Sequence, residues 1–169
     1  MGFGLPSAIG AQFANPGRLV IDVDGDGSMR MNLGELETAT TYELPVKILL
    51  LNNLGDGMVR QWQRLYFGER FSETDKSLHK KDFIKAAQAD GFKFARRVSK
   101  KAKVKEALQE VDDAVGAPLT VATEGVNFSC RVQFSRTGGG ATRHSLTTLR
   151  ITFRSLPGPR RGEQQARNV

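Results

Sequence analysis

The sequence predicts an α/β fold, a doubly wound parallel sheet with helices on both faces, followed by an irregular C-terminal tail. Three observations carry this. Short apolar runs alternate with segments of helical period over about 100 residues, the signature of strand–helix–strand units. The run 46–51 is apolar almost throughout, as in a strand buried on both faces. An acidic glycine turn after the first run and an Asn-Asn pair after the second stand 27 positions apart, about one strand–helix–strand unit.

Residues 18–24 (RLVIDVD) form the first predicted strand and end in a Gly/Asp turn. Asn32 and Glu35 have the spacing of a capping pair for a helix running to about Tyr42. Pro45 ends it, and 46–51 is the second strand. The segment 57–66 reads as a helix. Asp82 caps the next, with Phe83, Ile84 and Ala87 on one face and Gly91 as the stop. Residues 93–98 follow as a strand. Ser99 then opens a helix in which Val104, Ala107, Leu108, Val111 and Val115 recur at helical spacing, and 119–122 supplies a last strand.

Composition narrows the function classes. The 169 residues are 39% hydrophobic with 18 glycines, a globular balance, and no apolar run approaches the roughly 20 residues of a membrane helix. Pro6 stands where a myristoylation start wants Ser or Thr, and the first basic residue, Arg18, lies behind the opening apolar stretch rather than ahead of it. The single cysteine, Cys130, excludes an internal disulfide and fits a reducing, cytoplasmic location without membrane attachment. A net charge of +7 invites a nucleic-acid partner. The lysine pairs 80–81 and 100–101 have acidic neighbours, however, and no aromatic-interleaved basic stripe occurs, so no specific nucleic-acid binding is expected.

The richest segment is Asp22-Val-Asp24-Gly25-Asp26-Gly27-Ser28. It matches the first half of an EF-hand loop, but Leu33 stands where the bidentate glutamate belongs, and a strand precedes it instead of a helix. A second metal logic fits better. Right-handed crossovers bring consecutive strand ends to one edge of the sheet, where open α/β sheets bind ligands. Asp26 and Asn53 would meet there. One carboxylate and one amide oxygen are hard donors suited to Mg²⁺ that also holds phosphate oxygens. Gly25 and Gly27 admit a phosphate to the backbone, and their amides and Ser28 can donate to it. The competing reading is an Asp-Gly turn and a strand-capping Asn.

The pair Gly25-Asp26-Gly27 and Asn52-Asn53 resembles the signature of thiamine diphosphate enzymes. The likeness continues through Met1-Gly-Phe-Gly-Leu-Pro6, Leu44-Pro-Val-Lys47, Gly57-Met58-Val59-x-Gln61-Trp62 and Asp82-Phe83-x-Lys85-x-Ala87, over about residues 1–110, and is to acetolactate synthase (acetohydroxyacid synthase). This resemblance implies a thiamine diphosphate- and Mg²⁺-dependent condensation of pyruvate with a second 2-oxo acid in branched-chain amino acid synthesis. It implies Asp26, Asn53 and the Gly55 carbonyl as metal ligands, and Met1, Gly25, Gly27, Ser28, Gly57 and Met58 as cofactor contacts. Trp62 matches a substrate-channel tryptophan; a core tryptophan is the alternative. The family usually has a larger residue at 55 and a neutral one at 56, so Asp56 adds a carboxylate beside the metal.

The resemblance also implies an activating glutamate on a pyrimidine-binding domain supplied by another chain of a homo-oligomer, and a middle domain that binds FAD. Neither matches any segment here, so no catalytic residue is assigned and the isolated chain is expected to be inactive. His79 and His144 are expected at the surface. Two further readings are the diphosphate-binding subunit of another split thiamine diphosphate enzyme and a non-enzymatic basic binding module. The expected domains are 1–125, the diphosphate and Mg²⁺ domain, and 126–169, a divergent, poorly packed tail. All ten lysines precede residue 106, whereas eight arginines follow it; a GC-rich coding sequence read in another frame and a genuine basic tail are the two competing accounts. Within the tail, 131–134 and 149–153 alternate enough to form isolated strands.

Overall fold

The structure is a computed structural model, and it describes residues 1–113, 119–124, 128–136 and 147–155. The chain divides into two compact units, Met1–Val126 and Asn127–Val169. In the first, β1 (Ile21–Gly25), β2 (Lys47–Asn52), β3 (Phe94–Val98) and β4 (Leu119–Glu124) form a wholly parallel sheet in the order β1-β2-β4-β3. Its helices are α1 (Gly4–Ala14), α2 (Asp26–Met29), α3 (Glu35–Thr41), α4 (Gly57–Tyr66), α5 (Phe83–Ala89) and α6 (Val104–Asp113).

Strand order explains the two helical layers. The chain steps outward from β1 to β2 to β3 and then turns back to β4. Right-handed crossovers place helices made on the outward steps on one face and a helix made on the return step on the other. Side chains of β2 report both faces. Ile48 and Leu50 join one apolar cluster with Leu5 and Ile9 of α1, Leu36 and Ala39 of α3, and Phe83 and Ala87 of α5. Leu49, equally buried, points the other way and lies outside that cluster. The return helix α6, between β3 and β4, packs on these two strands and buries Val104 and Ala107.

The helices α4 and α5 and the strands β2 and β3 lie within a residue or so of their expected places. Asp82 caps α5 as its position predicts, accepting from the N–H of Ile84 at 3.0 Å and of Lys85 at 3.1 Å. Gly91 follows with φ +92°, a turn open to glycine. Expectations change at four places. β1 begins at Ile21 instead of residue 18, and the helix expected from Ser99 begins at Val104, behind a 3₁₀ turn (Lys101–Lys103). Two others have local causes. First, α1 is not foreseen by periodicity, because Gly4, Pro6 and Gly10 interrupt any amphipathic stripe; Pro6 is tolerated in its first turn, where N–H groups have no helical partner. Second, Asn32 does not cap a helix. It ends a 3₁₀ turn (Arg30–Asn32), and its side-chain amide donates to the carbonyl of Gly2. Gly34 stands at the head of α3 instead.

In the second unit, β5 (Phe128–Arg136) and β6 (Thr147–Ser155) pair antiparallel, with Val132 opposite Ile151. The two segments read as strand-capable, 131–134 and 149–153, fall inside them. How the side chains of this unit pack lies outside the described residues, as do His144 and the side chains of Leu108, Val111, Val115 and Cys130.

Candidate functional site

The site is built at the carboxyl ends of β1 and β2. Gly25 registers with Leu51 across these neighbouring strands, so the chain leaves both at the same edge. Asp26 begins α2 immediately after β1, and Asn53 follows β2. The Asn53 backbone N–H is close enough to the Asp26 carboxylate to pull its pKa down, and the two residues line one cleft. The alternation of the chain thus brings together the acidic turn and the Asn-Asn pair.

Asp26 is 1% exposed, and its Oδ2 has no hydrogen-bond partner among the described residues. A carboxylate buried with one oxygen unsatisfied is costly unless a cation completes it. Burial pushes its pKa up; its own backbone N–H, Arg30 and the Asn53 N–H pull it down, and Asp56 pushes it up again. The balance leaves it raised from the ordinary aspartate value. The Asn53 Oδ1 accepts from the Gly55 N–H at 3.1 Å and keeps its second lone pair. No group of three or more His, Cys, Asp or Glu side chains is clustered among the described residues, so any cation here would be held by the mixed donors a hard metal accepts.

A cleft of about 260 Å³ opens over these groups, lined by Met1, Gly25, Asp26, Gly27, Ser28, Asn53, Gly55, Gly57 and Met58 together with Leu51, Asp56 and Val59. Every residue singled out for cofactor or metal contact is therefore in one cavity. The N-terminal strap closes one wall: the Gly2 N–H donates to Ser28 Oγ at 2.9 Å, and Gly2 takes φ +76°. This strap sets Met1 beside Gly27, where a Cβ would lie 3.5 Å from the Met1 Cε.

Gly55 is demanded by a contact the sequence does not advertise. It forms an isolated antiparallel bridge with Asp75, and a Cβ on it would lie 2.9 Å from the Thr74 carbonyl. The bridge ties the loop to a strap, 72–76. The Asp56 N–H donates to the Thr74 carbonyl at 3.0 Å and the Lys76 N–H to the Leu54 carbonyl at 2.8 Å. From α4, Gln63 holds the same strap through the Ser72 carbonyl at 3.0 Å. The sequence reading missed Thr74 and Lys76 because they lie in a stretch without periodicity.

Trp62 is on α4 but does not line the cleft. It is 57% exposed and packs against Tyr66 with ring centroids 5.0 Å apart, so the alternative of a core tryptophan is excluded. His79 is exposed, as expected. Asp22 and Asp24 lie in β1 itself, which removes the EF-hand geometry.

Comparison with known proteins agrees with this architecture. Residues 1–121 match the family described as thiamine pyrophosphate enzyme, C-terminal TPP binding domain. The acetolactate synthase large subunit of Pyropia yezoensis is 44% identical over 130 residues, covering 77% of this chain and 22% of that protein. The acetolactate synthase isozyme 2 large subunit of Escherichia coli is 46% identical over 119 residues, 70% of this chain and 21% of its own. The mitochondrial catalytic subunit of Saccharomyces cerevisiae is 49% identical over 119 residues, 70% and 17%. Among solved structures, the thiamine diphosphate-dependent 4-hydroxybenzoylformate decarboxylase of Rhodococcus jostii RHA1 superposes with a TM-score of 0.65 at 32% identity, over 72% of this chain and 22% of that one. The chain spans about a fifth of the length of these relatives. With its sheet, its cleft and a match over most of its length, the chain belongs to the family of C-terminal TPP binding domains of thiamine pyrophosphate enzymes.

Proposed function

We propose that residues 1–125 bind the diphosphate end of thiamine diphosphate through Mg²⁺ as the C-terminal domain of an acetolactate synthase, in the cytoplasm. The observation that carries this reading is the buried Asp26 with its unsatisfied Oδ2, at the floor of a glycine-lined cleft. In this reading, Asp26, the Asn53 side-chain oxygen and the Gly55 carbonyl hold the metal. Gly25, Gly27 and Ser28 face the phosphates, and Met1, Gly57 and Met58 wall the cofactor. When bound, the cofactor supplies the carbanion chemistry by which pyruvate loses CO₂ and joins a second 2-oxo acid. This chain's residues bind and orient; none of them is assigned the proton transfer that activates the cofactor.

That task calls for a glutamate on a pyrimidine-binding domain from a second chain, as in a homo-oligomer, with FAD held by a further domain. The exposed side of α4 supports this reading of a partner. Met58, Trp62, Leu65 and Tyr66 on α4 are all more than half exposed, and Trp62 would there border the substrate channel. The 169-residue chain alone should therefore turn over no pyruvate.

Calorimetric titration with Mg²⁺ and thiamine diphosphate tests the reading. The chain should bind only when both are present, and Asp26→Ala should abolish binding, since the one charged ligand is lost. Because burial raises the Asp26 pKa, a proton competes with the metal, and affinity should fall as the solution is acidified. Metal-independent binding, or full binding by Asp26→Ala, would refute it.

A further inference from the structure

The carboxylate of Asp56 is in an unusual position. Asp56 precedes α4 at the place where aspartate ordinarily caps a helix, yet its side chain makes no cap hydrogen bond. It is turned the other way, over Gly27. A Cβ built on Gly27 would overlap Asp56 Oδ1, so this oxygen fills the space that the missing side chain leaves free. The other oxygen, Oδ2, pairs with Lys76 Nζ at 3.2 Å, and both side chains are more than four-fifths buried.

Lys76 is held independently of this pair. Its backbone N–H bonds the Leu54 carbonyl, and its ammonium also donates to the Glu73 carbonyl at 3.0 Å. The cation is therefore fixed by the strap 72–76, whereas the carboxylate is held, among the described residues, by its ion pair to that same Lys76. Asp56 is not placed as a third metal ligand, because its charge is already neutralised by Lys76 and one oxygen is directed at Gly27.

We infer that Asp56 is an internal anion occupying the phosphate cradle over Gly27, and that an incoming diphosphate must displace it and inherit Lys76 as a counter-ion. This rests on the reading of the cleft as a diphosphate site. Backbone N–H groups near Gly27 and the first turn of α4 attract either anion, and the two cannot share one space. Displacement returns Asp56 to the head of α4, where its carboxylate can accept from the N–H groups of Met58 and Val59. Asp56 thus sets the affinity threshold of the site, and Lys76 is a positioning residue for whichever anion is present.

The test is calorimetry on the full chain with Mg²⁺ and either inorganic pyrophosphate or thiamine diphosphate. Asp56→Asn removes the competing charge and keeps the size; Asp56→Ser serves the same purpose should the first variant fail to fold. Either should bind both ligands at least about tenfold more tightly than the unsubstituted chain, since a unit charge a few ångströms away is removed. Binding by the variant where the unsubstituted chain binds nothing is the same result carried further. Adding Lys76→Met to Asp56→Asn should cancel the gain. An Asp56→Asn chain that binds equally or more weakly, beside an unsubstituted chain that binds, overturns this inference and leaves the diphosphate reading standing. Folded chains that all fail to bind, or an Asp26→Asn chain that binds as tightly as the unsubstituted chain at the same Mg²⁺ concentration, overturn the diphosphate reading and this inference with it.

Discussion

Asp22 and Asp24 project from the same side of β1 onto the start of α1. A Cβ on Gly4 would lie 2.8 Å from the Asp22 Oδ1 and 3.0 Å from the Asp24 carboxylate. Burial first, and the neighbouring charge of Asp24 second, raise the Asp22 pKa to about 6. The sign of the consequence is fixed. A carboxyl whose folded pKa exceeds its unfolded value holds a proton that unfolding releases, so stability is greatest in acid and falls as pH rises from about 4 through 6. Asp22→Asn should flatten that slope and raise stability at pH 8 by on the order of 2 kcal/mol. Thermal unfolding of both chains at pH 5 and pH 8 measures it, and equal slopes would contradict it. Asp26 and Asn53 could be read as partners because one crossover separates them, and crossover geometry is general. Asp56 and Lys76 could not, because only the Gly55–Asp75 bridge makes them neighbours.

Asp82 shows how an element is readable when its signal is local. Its cap is intact, and Arg97 of β3 adds an ion pair at 2.7 Å. Burial alone would raise the Asp82 pKa, but the Lys85 N–H, Arg97 and the Ile84 N–H outweigh it and leave it lowered. Asp82→Ala should cost about 1–2 kcal/mol at neutral pH, by analogy with other cap removals. A lowered folded pKa means that this contribution is full above the ordinary aspartate range and is lost as pH falls through the folded value. Denaturant titrations at pH 7 and pH 3 would show a large difference between the two chains in the first and a small one in the second. The strand β2 was readable for a similar reason: a strand covered on both faces needs apolar residues at nearly every position, and burial of Ile48, Leu49 and Leu50 follows. By contrast α1 was hidden, since its buried Leu5, Ala8 and Ile9 are divided by small residues whose packing only the tertiary structure supplies. The misreading of Asn32 has the same origin. Its amide serves the Gly2 carbonyl 30 residues away, and a capping pattern considers only the next turn.

The sheet uses its interior well, yet α4 buries none of its residues. Its apolar side chains Met58, Trp62, Leu65 and Tyr66 face outward with Phe67 just beyond. Contiguous exposure of this kind is uncommon on proteins that act alone. The purified chain should therefore self-associate in a concentration-dependent way, and Trp62→Gln with Leu65→Gln should reduce the association without changing the helical circular dichroism. Sedimentation velocity over a range of concentrations measures this; a monomer at all concentrations would contradict it. Periodicity located this helix but could not show which face the sheet would leave uncovered, because that depends on how far the crossover from β2 to β3 carries the chain.

Strand order also has a temporal meaning. β4 is the last strand of the parallel sheet to be synthesised, yet it lies between β2 and β3 and pairs with both. Until residue 124 leaves the ribosome, β2 has a bare hydrogen-bonding edge on that side, and β3 has no partner in the sheet. Bare strand edges invite pairing with other chains. At the usual pace of translation, roughly 5–20 residues per second, the interval from Val98 to Glu124 lasts a second or more, long beside local helix formation. A nascent chain of this protein is thus at its most vulnerable in the middle of its own sheet, and a stop or a change of reading after residue 118 would strike the centre of the fold before it touched any rim.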